Sequence, residues 1–433
     1  MQLKEFGFRL ISTLYELIFK EKMGLEAAKF FTGTSYMAIS TVLGVLLTFV
    51  FTVLGARILG PTNFGNLALV TTVGTILAIS MGICGNSMLK YGSEAQDDPT
   101  RTRIISTFTV LLALEAVVSV VVYVLFSEQL SNIFGVSKEV FLFAVAYIVI
   151  AEFFALTMDS LRVLFKIRAF ALLNVLQSAL VLAAFLILVS TYAKSWQAAV
   201  FSLYIANAAI IVILVVYLRQ YIKLKFDRPS ATKMLTYGLH GLPGLIATAF
   251  IGISPVLINI FISTATVGIY NAYYMPSIAI SIALWGVFSA AFFPYASKSR
   301  DKMSIFRNVN KAIPYIVAVL VPSIVLMELL VFTLYGRQYP FSVELGLLFA
   351  LAATACFFYQ CYSMLMASEG VRGAAVNARS SVITLVVIIG LNVALLPRVG
   401  IIGAPVTLIF AYLAAVVYLG SRTRILNEPG AAT

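Results

Sequence analysis

Long apolar runs separated by short polar segments dominate the sequence. A helix needs about 20 apolar residues to cross the ~30 Å hydrocarbon core of a bilayer, and polar, glycine or proline clusters mark the breaks between such helices. The pattern predicts an all-α polytopic membrane protein with about 12 transmembrane helices. The predicted spans are 34–55, 65–89, 104–126, 140–163, 170–192, 196–218, 236–262, 270–295, 312–335, 343–367, 376–396 and 402–421.

Basic residues fall mostly in alternate connections between these spans. If the N-terminus is inside, the cytoplasmic segments hold 25 of the 30 Lys and Arg residues, and the outer connections hold the other five. Cytoplasmic loops carry such an excess of positive charge. We therefore expect both termini in the cytoplasm. The five outer basic residues are Arg57, Lys138, Lys194, Arg337 and Arg398.

The second half of the chain repeats features of the first at an offset of about 203 residues. Residues 62–67 align with 265–270, and Asn174 aligns with Asn377, at an offset of 203. Tyr91 aligns with Tyr295, and Arg168 with Arg372, at an offset of 204. Six spans in each half start on the same side, so the pattern predicts a 6+6 parallel repeat: two six-helix lobes around a central cavity. The predicted divisions are an interfacial amphipathic helix at 1–33, lobes at 34–218 and 236–421, a cytoplasmic linker at 219–235 and a cytoplasmic tail at 422–433.

Composition excludes a soluble domain. The chain is 61% hydrophobic and 11% charged, whereas soluble proteins are roughly 45–50% apolar and about 25% charged. Its net charge of +12 is explained by basic loops that face an anionic leaflet. We therefore expect membrane lipids as partners and no nucleic acid.

Enzymatic chemistry lacks its usual residues. His240 is the only histidine, and no GxxxxGK[ST] phosphate loop is present, so a histidine-based metal site, a catalytic triad with a spare base and direct use of ATP are not expected. Asp97 and Asp98 precede Pro99, which indicates a solvated turn and a helix start rather than a metal-binding pair. We expect no enzyme activity, no cofactor and no metal. The three cysteines, Cys84, Cys356 and Cys361, lie within spans and are interpreted as packing residues.

Carboxyl groups within spans are candidates for ion coupling, because charge at membrane depth is costly and usually faces protein or water. Glu115 lies midway along the third span, and Glu152 and Asp159 share one face of the fourth, with Arg162 three residues after Asp159. Each carboxyl is interpreted either as an ion or proton site or as a structural group. The structural alternative is a buried neutral acid, or a pair between Asp159 and Arg162 that holds helices together.

Polar stripes occur at matching positions of the two halves. Asn174 and Gln177 lie on the fifth span, and Asn377 lies on the eleventh. Their amides are explained either by hydrogen bonds between helices or by a lumen that receives sugar hydroxyls. Gly241, Pro243 and Pro255 interrupt the seventh span, which predicts either a hinge for alternating access or a static kink.

The turn after the first span reads Arg57-Ile-Leu-Gly-Pro-Thr-Asn-Phe-Gly65. This Arg-x-Leu-Gly-Pro-x-x-Phe-Gly run resembles the first-span signature of polysaccharide biosynthesis membrane proteins. These are the Wzx-type O-antigen and repeat-unit flippases of the multidrug/oligosaccharidyl-lipid/polysaccharide (MOP) exporter superfamily. The twelve-span plan with cytoplasmic termini is similar over nearly the whole chain.

The resemblance implies a transporter that moves lipid-linked oligosaccharide from the inner to the outer leaflet by alternating access, in the cytoplasmic (inner) membrane of a prokaryote. The implied partners are a polyprenyl phosphate or pyrophosphate carrier and the polysaccharide polymerase and glycosyltransferase machinery. Arg57 matches a position within the motif, with a snorkelling anchor as its alternative role. Lys90, Arg162 and His240 would have to reach inward from span ends to meet the phosphate. The rival hypotheses are a drug or metabolite exporter of the same superfamily and a membrane-embedded glycosyl or acyl transferase that uses His240.

Overall fold

The computed structural model describes residues 25–223, 225–279, 281–282, 285–286, 289 and 302–424. The predicted interfacial helix at 1–33 falls outside this range except for its last nine residues, 25–33, which belong to a helix. The predicted tail lies outside it from residue 425 onward. The helices of the described residues are α1 (Leu25–Leu77), α2 (Gly85–Glu94), α3 (Asp98–Leu125), α4 (Ser127–Ile133), α5 (Lys138–Val163), α6 (Ile167–Thr191), α7 (Trp196–Tyr217), α8 (Arg228–Ile251), α9 (Ser254–Phe261), α10 (Thr264–Tyr274), α11 (Lys302–Tyr335), α12 (Val343–Ala367), α13 (Gly370–Val399) and α14 (Gly403–Ser421).

The all-α prediction is confirmed. Within the described residues no strand occurs, and nine helical segments are long and apolar enough to cross a membrane. Two of these segments are Ile39–Ser80 with 42 residues and Arg372–Ser421 with 50 residues. The first overlaps two predicted spans, 34–55 and 65–89, and the second contains 376–396 and 402–421. The protein is therefore a multi-pass membrane protein. Of the predicted spans, the eighth (270–295) lies partly outside the described residues.

The outer surface of the bundle is apolar, as a lipid-facing surface requires. On α3, Leu114, Val117, Val118 and Val121 are more than half exposed, and their spacing places them on one face of the helix. The opposite face carries Ala116 and other buried residues. One face of α3 is exposed on the surface of the bundle and the other is packed inside it. Both faces are apolar, so the sequence of α3 shows little amphipathic pattern.

Connections between helices meet at two opposite ends of the bundle. At the end called here the basic end, the Ser106 hydroxyl donates a hydrogen bond to the carbonyl of Tyr221 at 3.0 Å. At the opposite end, the Asn259 side-chain amide donates to the carbonyl of Gly135 at 2.6 Å. Each bond joins a residue near the end of a helix to a connection that the charge pattern assigns to the same side, which agrees with the predicted topology.

Aspartates begin two helices at the basic end. The Asp97 carboxylate accepts a hydrogen bond from the backbone N–H of Thr100 at 2.6 Å at the start of α3, and Asp227 accepts one from Ser230 at 3.0 Å at the start of α8. These bonds satisfy N–H groups that a helix leaves free in its first turn. They also hold the pKa of each carboxyl below its usual value of 3.8. The helix start predicted at Asp97 is present.

The seventh predicted span is broken beside Pro255 and not at Gly241 or Pro243. Helix α8 continues through Gly241 and Pro243 to Ile251. The break lies at Gly252 and Ile253, and Pro255 occupies the first turn of α9, where its missing N–H costs no helical hydrogen bond. Among the predicted hinge residues, Pro255 is therefore the one beside a change of helix.

Candidate transport cavity and lobe contact

The two lobes touch closely at the opposite end through Gly65 and Gly268. A methyl group on Gly65 would overlap the carbonyl oxygen of Thr264, and a methyl group on Gly268 would overlap the carbonyl oxygen of Pro61. Gly65 follows Pro61 by four residues, and Gly268 follows Thr264 by four. The contact is therefore symmetric, and its two halves are related by the same offset as the sequence repeat.

Gly60 adds a second lobe contact beside the first. Its backbone has φ 73° and ψ 171°, a conformation that glycine adopts without the clash that a Cβ atom causes. A Cβ atom there would lie 2.7 Å from Oε1 of Gln338, in the connection between α11 and α12. The glycines of the Arg57–Gly65 motif thus bring the first lobe against the second at the opposite end, here called the lobe contact (Gly60, Pro61, Gly65, Thr264, Gly268 and Gln338).

A cavity of about 330 Å³ lies between α1, α6 and the π-helical turn after α10. Asn174 and Gln177 line it, so the structure brings together the two candidate amides of the fifth span. Three threonines of α1, at positions 41, 48 and 52, line the facing wall, with Met275 and Ala279 of the second lobe. Hydroxyl and amide groups offer both donors and acceptors, which is the chemistry that neutral sugar rings require.

One amide of this wall, that of Gln177, is hydrogen-bonded to the helix behind it. The Gln177 side-chain amide donates a hydrogen bond to Oδ1 of Asn207 on α7 at 2.9 Å, and the Ser178 hydroxyl donates to the carbonyl of Asn174 at 3.3 Å. Gly44 of α1 lies beside the Asn174 amide. Gln177 therefore lines the cavity and also joins two helices. The predicted hydrogen bond between helices is present, and binding of sugar hydroxyls stays a prediction.

A smaller cavity of about 170 Å³ adjoins the first, because Met275 lines both. Its polar lining includes Thr71 and Thr72 of α1 and Asn271 of α10, with Pro255 at the helix break. None of the described residues that line these two cavities is Asp, Glu, Lys, Arg or His. The described lining of these cavities is thus uncharged, with hydroxyl and amide groups set among apolar side chains.

The candidate carboxyls of the third and fourth spans lie close together inside the first lobe. Glu115 interacts electrostatically with the Cys84 thiol and with Glu152. One oxygen of Glu115 is buried without a hydrogen-bond partner among the described residues. Neither carboxyl lines the cavities described above. Asp159 instead pairs with Arg162 at 2.9 Å. This is the pair that the structural alternative predicted, but both residues belong to α5, so the pair does not itself join two helices.

The basic candidates lie apart from these two cavities. Arg57 is exposed and one turn before the lobe contact. Lys90 and His240 lie at the basic end, where the His240 ring donates from Nδ1 to the carbonyl of Thr236 at 2.6 Å. Asn377 accepts a hydrogen bond from Ser363 of α12 at 2.7 Å. The structure therefore does not gather Arg57, Lys90, Arg162, His240 and Asn377 at one site.

The threonines of α1 were not predicted from the sequence. Positions 41, 48 and 52 are separated by seven and four residues, the spacing of one helix face. This stripe is the signal that identifies them, but an isolated threonine in a membrane helix is common and forms hydrogen bonds to its own backbone, as Thr52 does with the carbonyl of Thr48.

The family model for "Polysaccharide biosynthesis protein" matches residues 30–300. That match covers more than half of the chain, so the protein belongs to this family. No protein of curated function matches its sequence.

Solved structures of MOP-superfamily transporters share the fold. An inward-facing multidrug resistance MATE family transporter is 15% identical, with a TM-score of 0.69 over 90% of this chain and 98% of that chain. An outward-facing MATE family transporter is 14% identical, with a TM-score of 0.56 over 91% and 95%. A MOP-superfamily transporter from Pyrococcus furiosus, described as having a binding pocket of reverse polarity that suggests a different function, is 14% identical, with a TM-score of 0.58 over 92% and 96%. The two-lobe fold predicted from the repeat is therefore confirmed.

Proposed function

We propose that the protein flips a lipid-linked oligosaccharide from the inner to the outer leaflet of the cytoplasmic membrane. The observation that carries this proposal is the uncharged cavity of about 330 Å³, into which α1 contributes hydroxyls and α6 contributes amides and a hydroxyl, in a member of a polysaccharide biosynthesis family. The sugar head passes between the lobes while the polyprenyl tail stays in the bilayer. Burial of sugar hydroxyls against Asn174, Gln177 and the threonines of α1 replaces the hydrogen bonds that water provides.

The lobe contact supports an alternating-access cycle. Contact at the opposite end corresponds to a stage in which the cavity faces the cytoplasm, and the better superposition on the inward-facing MATE structure fits that stage. Opening toward the outer leaflet requires Gly65 and Gly268 to separate from the facing carbonyls. In this proposal the helix break before Pro255, next to the smaller cavity, is where the seventh span bends, with Gly241 and Pro243 as further candidate hinge residues.

The proposal assigns energetic coupling to Glu115 and Glu152, because both lie at membrane depth and interact with each other. Arg57 is assigned to the carrier phosphate as it leaves on the outer side, since it is exposed beside the lobe contact. In this proposal polymerase and glycosyltransferase machinery act before and after the flipping step.

A drug exporter of the same superfamily is the second candidate, since MATE structures share the fold. A carrier of hydrophobic cations would need carboxylates along its cavity. The cavities between the lobes have none among their described lining residues, which favours a neutral, hydroxyl-rich substrate.

The test is the leaflet location of the lipid-linked oligosaccharide in cells that lack the protein, read with a membrane-impermeant sugar-modifying probe. We expect complete oligosaccharide to accumulate on the cytoplasmic side and the wild-type chain to restore outer-leaflet labelling. Thr48→Val removes one cavity hydroxyl at nearly constant volume and should restore labelling only in part. Thr333→Val is the matched control, because Thr333 is exposed, donates to the carbonyl of Leu330 and does not line the cavity.

Other outcomes contradict the proposal in different ways. Normal outer-leaflet labelling together with altered drug sensitivity would identify an exporter. Loss of the oligosaccharide itself would identify an enzyme. Full restoration by Arg57→Ala would remove that arginine from the transport step without affecting the rest of the proposal.

A further inference from the structure

A wide cavity of about 720 Å³ opens at the basic end and is separate from the two cavities between the lobes. It lies beside the point where α2 of the first lobe packs on α8 of the second. The Ser87 hydroxyl joins these helices by donating to the carbonyl of Met234 at 3.0 Å. The cavity therefore sits at a seam between the lobes, at the level where basic loops meet the membrane surface.

One face of α8 forms most of the cavity wall. Pro229, Lys233, Thr236 and His240 line it, together with Arg228, Thr232 and Tyr237. Positions 229, 233, 236 and 240 are three or four residues apart, and positions 228, 232 and 237 lie next to them, so together they form a single stripe. From Arg228 to His240 the stripe runs about 18 Å along the helix at 1.5 Å per residue. It thus extends from the loop region into the predicted seventh span.

Positive charge reaches the cavity from both lobes. Arg228 and Lys233 come from α8. The Lys90 ammonium, from α2, lies 4.6 Å from the centre of the Tyr237 ring that lines the cavity. Neither Arg228 nor Lys90 forms an ion pair with any described residue. The nearby Asp227 carboxylate interacts electrostatically with Lys233, and it is already engaged as the cap of α8.

Two tyrosines give the cavity an aromatic wall. The rings of Tyr91 and Tyr237 meet edge to face with centroids 5.8 Å apart, and 39% of Tyr237 is exposed. Tyrosine is enriched at the depth of lipid headgroups, where one end of the ring is in apolar and the other in polar surroundings. A cleft with cations at its mouth and apolar rings along its length suits a molecule with a phosphate at one end and a hydrocarbon chain at the other.

We propose that this cavity is a lipid-phosphate site at which Lys90, Arg228 and Lys233 hold the phosphate of a lipid across the seam between the lobes. The phosphate comes from one of two sources, an anionic phospholipid of the inner leaflet or the phosphate of a polyprenyl carrier. Only the second source rests on the proposed function. Because the site takes residues from both lobes, a bound phosphate stabilises the α2–α8 seam.

The test is lipid binding to the purified full-length protein in detergent, measured by native mass spectrometry. The probes are dioleoyl phosphatidylglycerol, dioleoyl phosphatidylcholine and a polyprenyl pyrophosphate, with inorganic pyrophosphate as competitor. Lys90→Gln with Lys233→Gln removes two cavity charges, and we expect affinity for at least one anionic lipid to fall on the order of tenfold or more. Lys223→Gln with Lys225→Gln is the matched control, since it removes two exposed charges that precede α8 and do not line the cavity.

Lys90→Arg with Lys233→Arg should retain binding, which separates loss of charge from loss of fold. Unchanged binding in the double glutamine variant, an equal loss in the matched control, or no competition by pyrophosphate would overturn the proposal. Binding of phosphatidylglycerol identifies a bilayer lipid, and binding of the polyprenyl pyrophosphate alone identifies the carrier. The two proposals can fail separately. If lipid binding depends on these charges, but removal of the protein from cells does not change the leaflet in which the oligosaccharide lies, the lipid-phosphate site is supported and flipping is rejected.

Discussion

Gly65 and Gly268 form the two halves of one contact between the lobes, each placed against a backbone carbonyl of the other lobe. They are 203 positions apart, as are the residues whose carbonyls they meet, Pro61 and Thr264. The repeat detected in the sequence is thus expressed as a two-fold relationship in space. Small residues at this position let the helices approach to backbone contact, which is how membrane helices pack closely.

Gly65→Ala should weaken the lobe contact, because the added methyl group overlaps the Thr264 carbonyl. We expect a loss of about 1–3 kcal/mol in stability of this conformation, the usual cost of overpacking. A cysteine at Thr71, which lines the smaller cavity, should then react faster with a membrane-impermeant thiol reagent added from outside. The three native cysteines are buried and provide a low background.

Gly244→Ala is the control for this experiment, because a methyl group there meets no other atom within 4 Å. Gly268→Ala should raise the labelling rate as Gly65→Ala does, since the contact is symmetric. The double variant should add less than the sum of the two, because the first substitution already separates the shared surface. Equal labelling of Gly65→Ala and Gly244→Ala would show that the lobe contact does not limit access.

Gln177→Leu should destabilise the first lobe. It removes the 2.9 Å hydrogen bond to Asn207, whose side chain is only 6% exposed and would be left without this donor. Hydrogen bonds between membrane helices contribute about 0.6 to 1.7 kcal/mol. The thermal unfolding midpoint in detergent should fall, and Gln177→Leu with Asn207→Leu should recover part of the loss because no unpaired amide remains.

Gln177 also lines the cavity, so we expect transport to respond differently from stability in the double leucine variant. The double leucine variant should regain stability while outer-leaflet oligosaccharide stays low. Recovery of both properties together would mean that Gln177 serves only to join α6 and α7.

Hydropathy predicted most of the fold and little of the cavity, for one physical reason. Hydrocarbon requires long apolar helices with internal backbone hydrogen bonds, so the spans and their alternation are visible as runs of residues. Lipid is as apolar as a packed helix interface, so the same pattern does not distinguish Leu114, exposed on α3, from Leu112, buried on the same helix. The direction of each helix face depends on its neighbours.

The motif around Arg57 shows the same limit. Sequence comparison singled out its one charged residue, whereas the structure gives its glycines the close contacts. Likewise, Thr41 and Thr48 acquire a shared cavity only because α1 faces α6. Asn174 and Gln177 were predictable as a pair, since their spacing places them on adjacent parts of one helix face.

Glu115 and Glu152 should behave as one unit in transport, because their carboxyls interact. If they couple transport to an ion, Glu115→Gln and Glu152→Gln should each alter its dependence on pH or membrane potential. The double variant should then resemble the single variants rather than the sum of their effects. Flipping measured in vesicles with imposed gradients provides the readout. Normal pH and potential dependence in Glu152→Gln would exclude a coupling role for that residue.

Asp97→Ala should lower the stability of the basic end only where the Asp97 carboxyl is ionised. The Thr100 hydrogen bonds hold the pKa of this carboxyl below 3.8 in the folded protein, so its contribution is present above about pH 4 and is lost as the pH falls through the folded-state value. The difference in thermal unfolding midpoint between wild type and Asp97→Ala should therefore be larger at pH 7 than at pH 3. Asp97→Asn keeps a capping side chain without a charge, and a difference independent of pH would contradict the assignment.

The lobe contact has a consequence for how the protein responds to its surroundings. Its partners are glycines, backbone carbonyls and the neutral side chain of Gln338, none of which gains or loses a proton in the physiological range. A change of pH or salt on the outer side therefore does not act directly on the groups that form the lobe contact. A signal that opens it has to come through the lobes, from groups that do change charge or bind a ligand elsewhere in the chain.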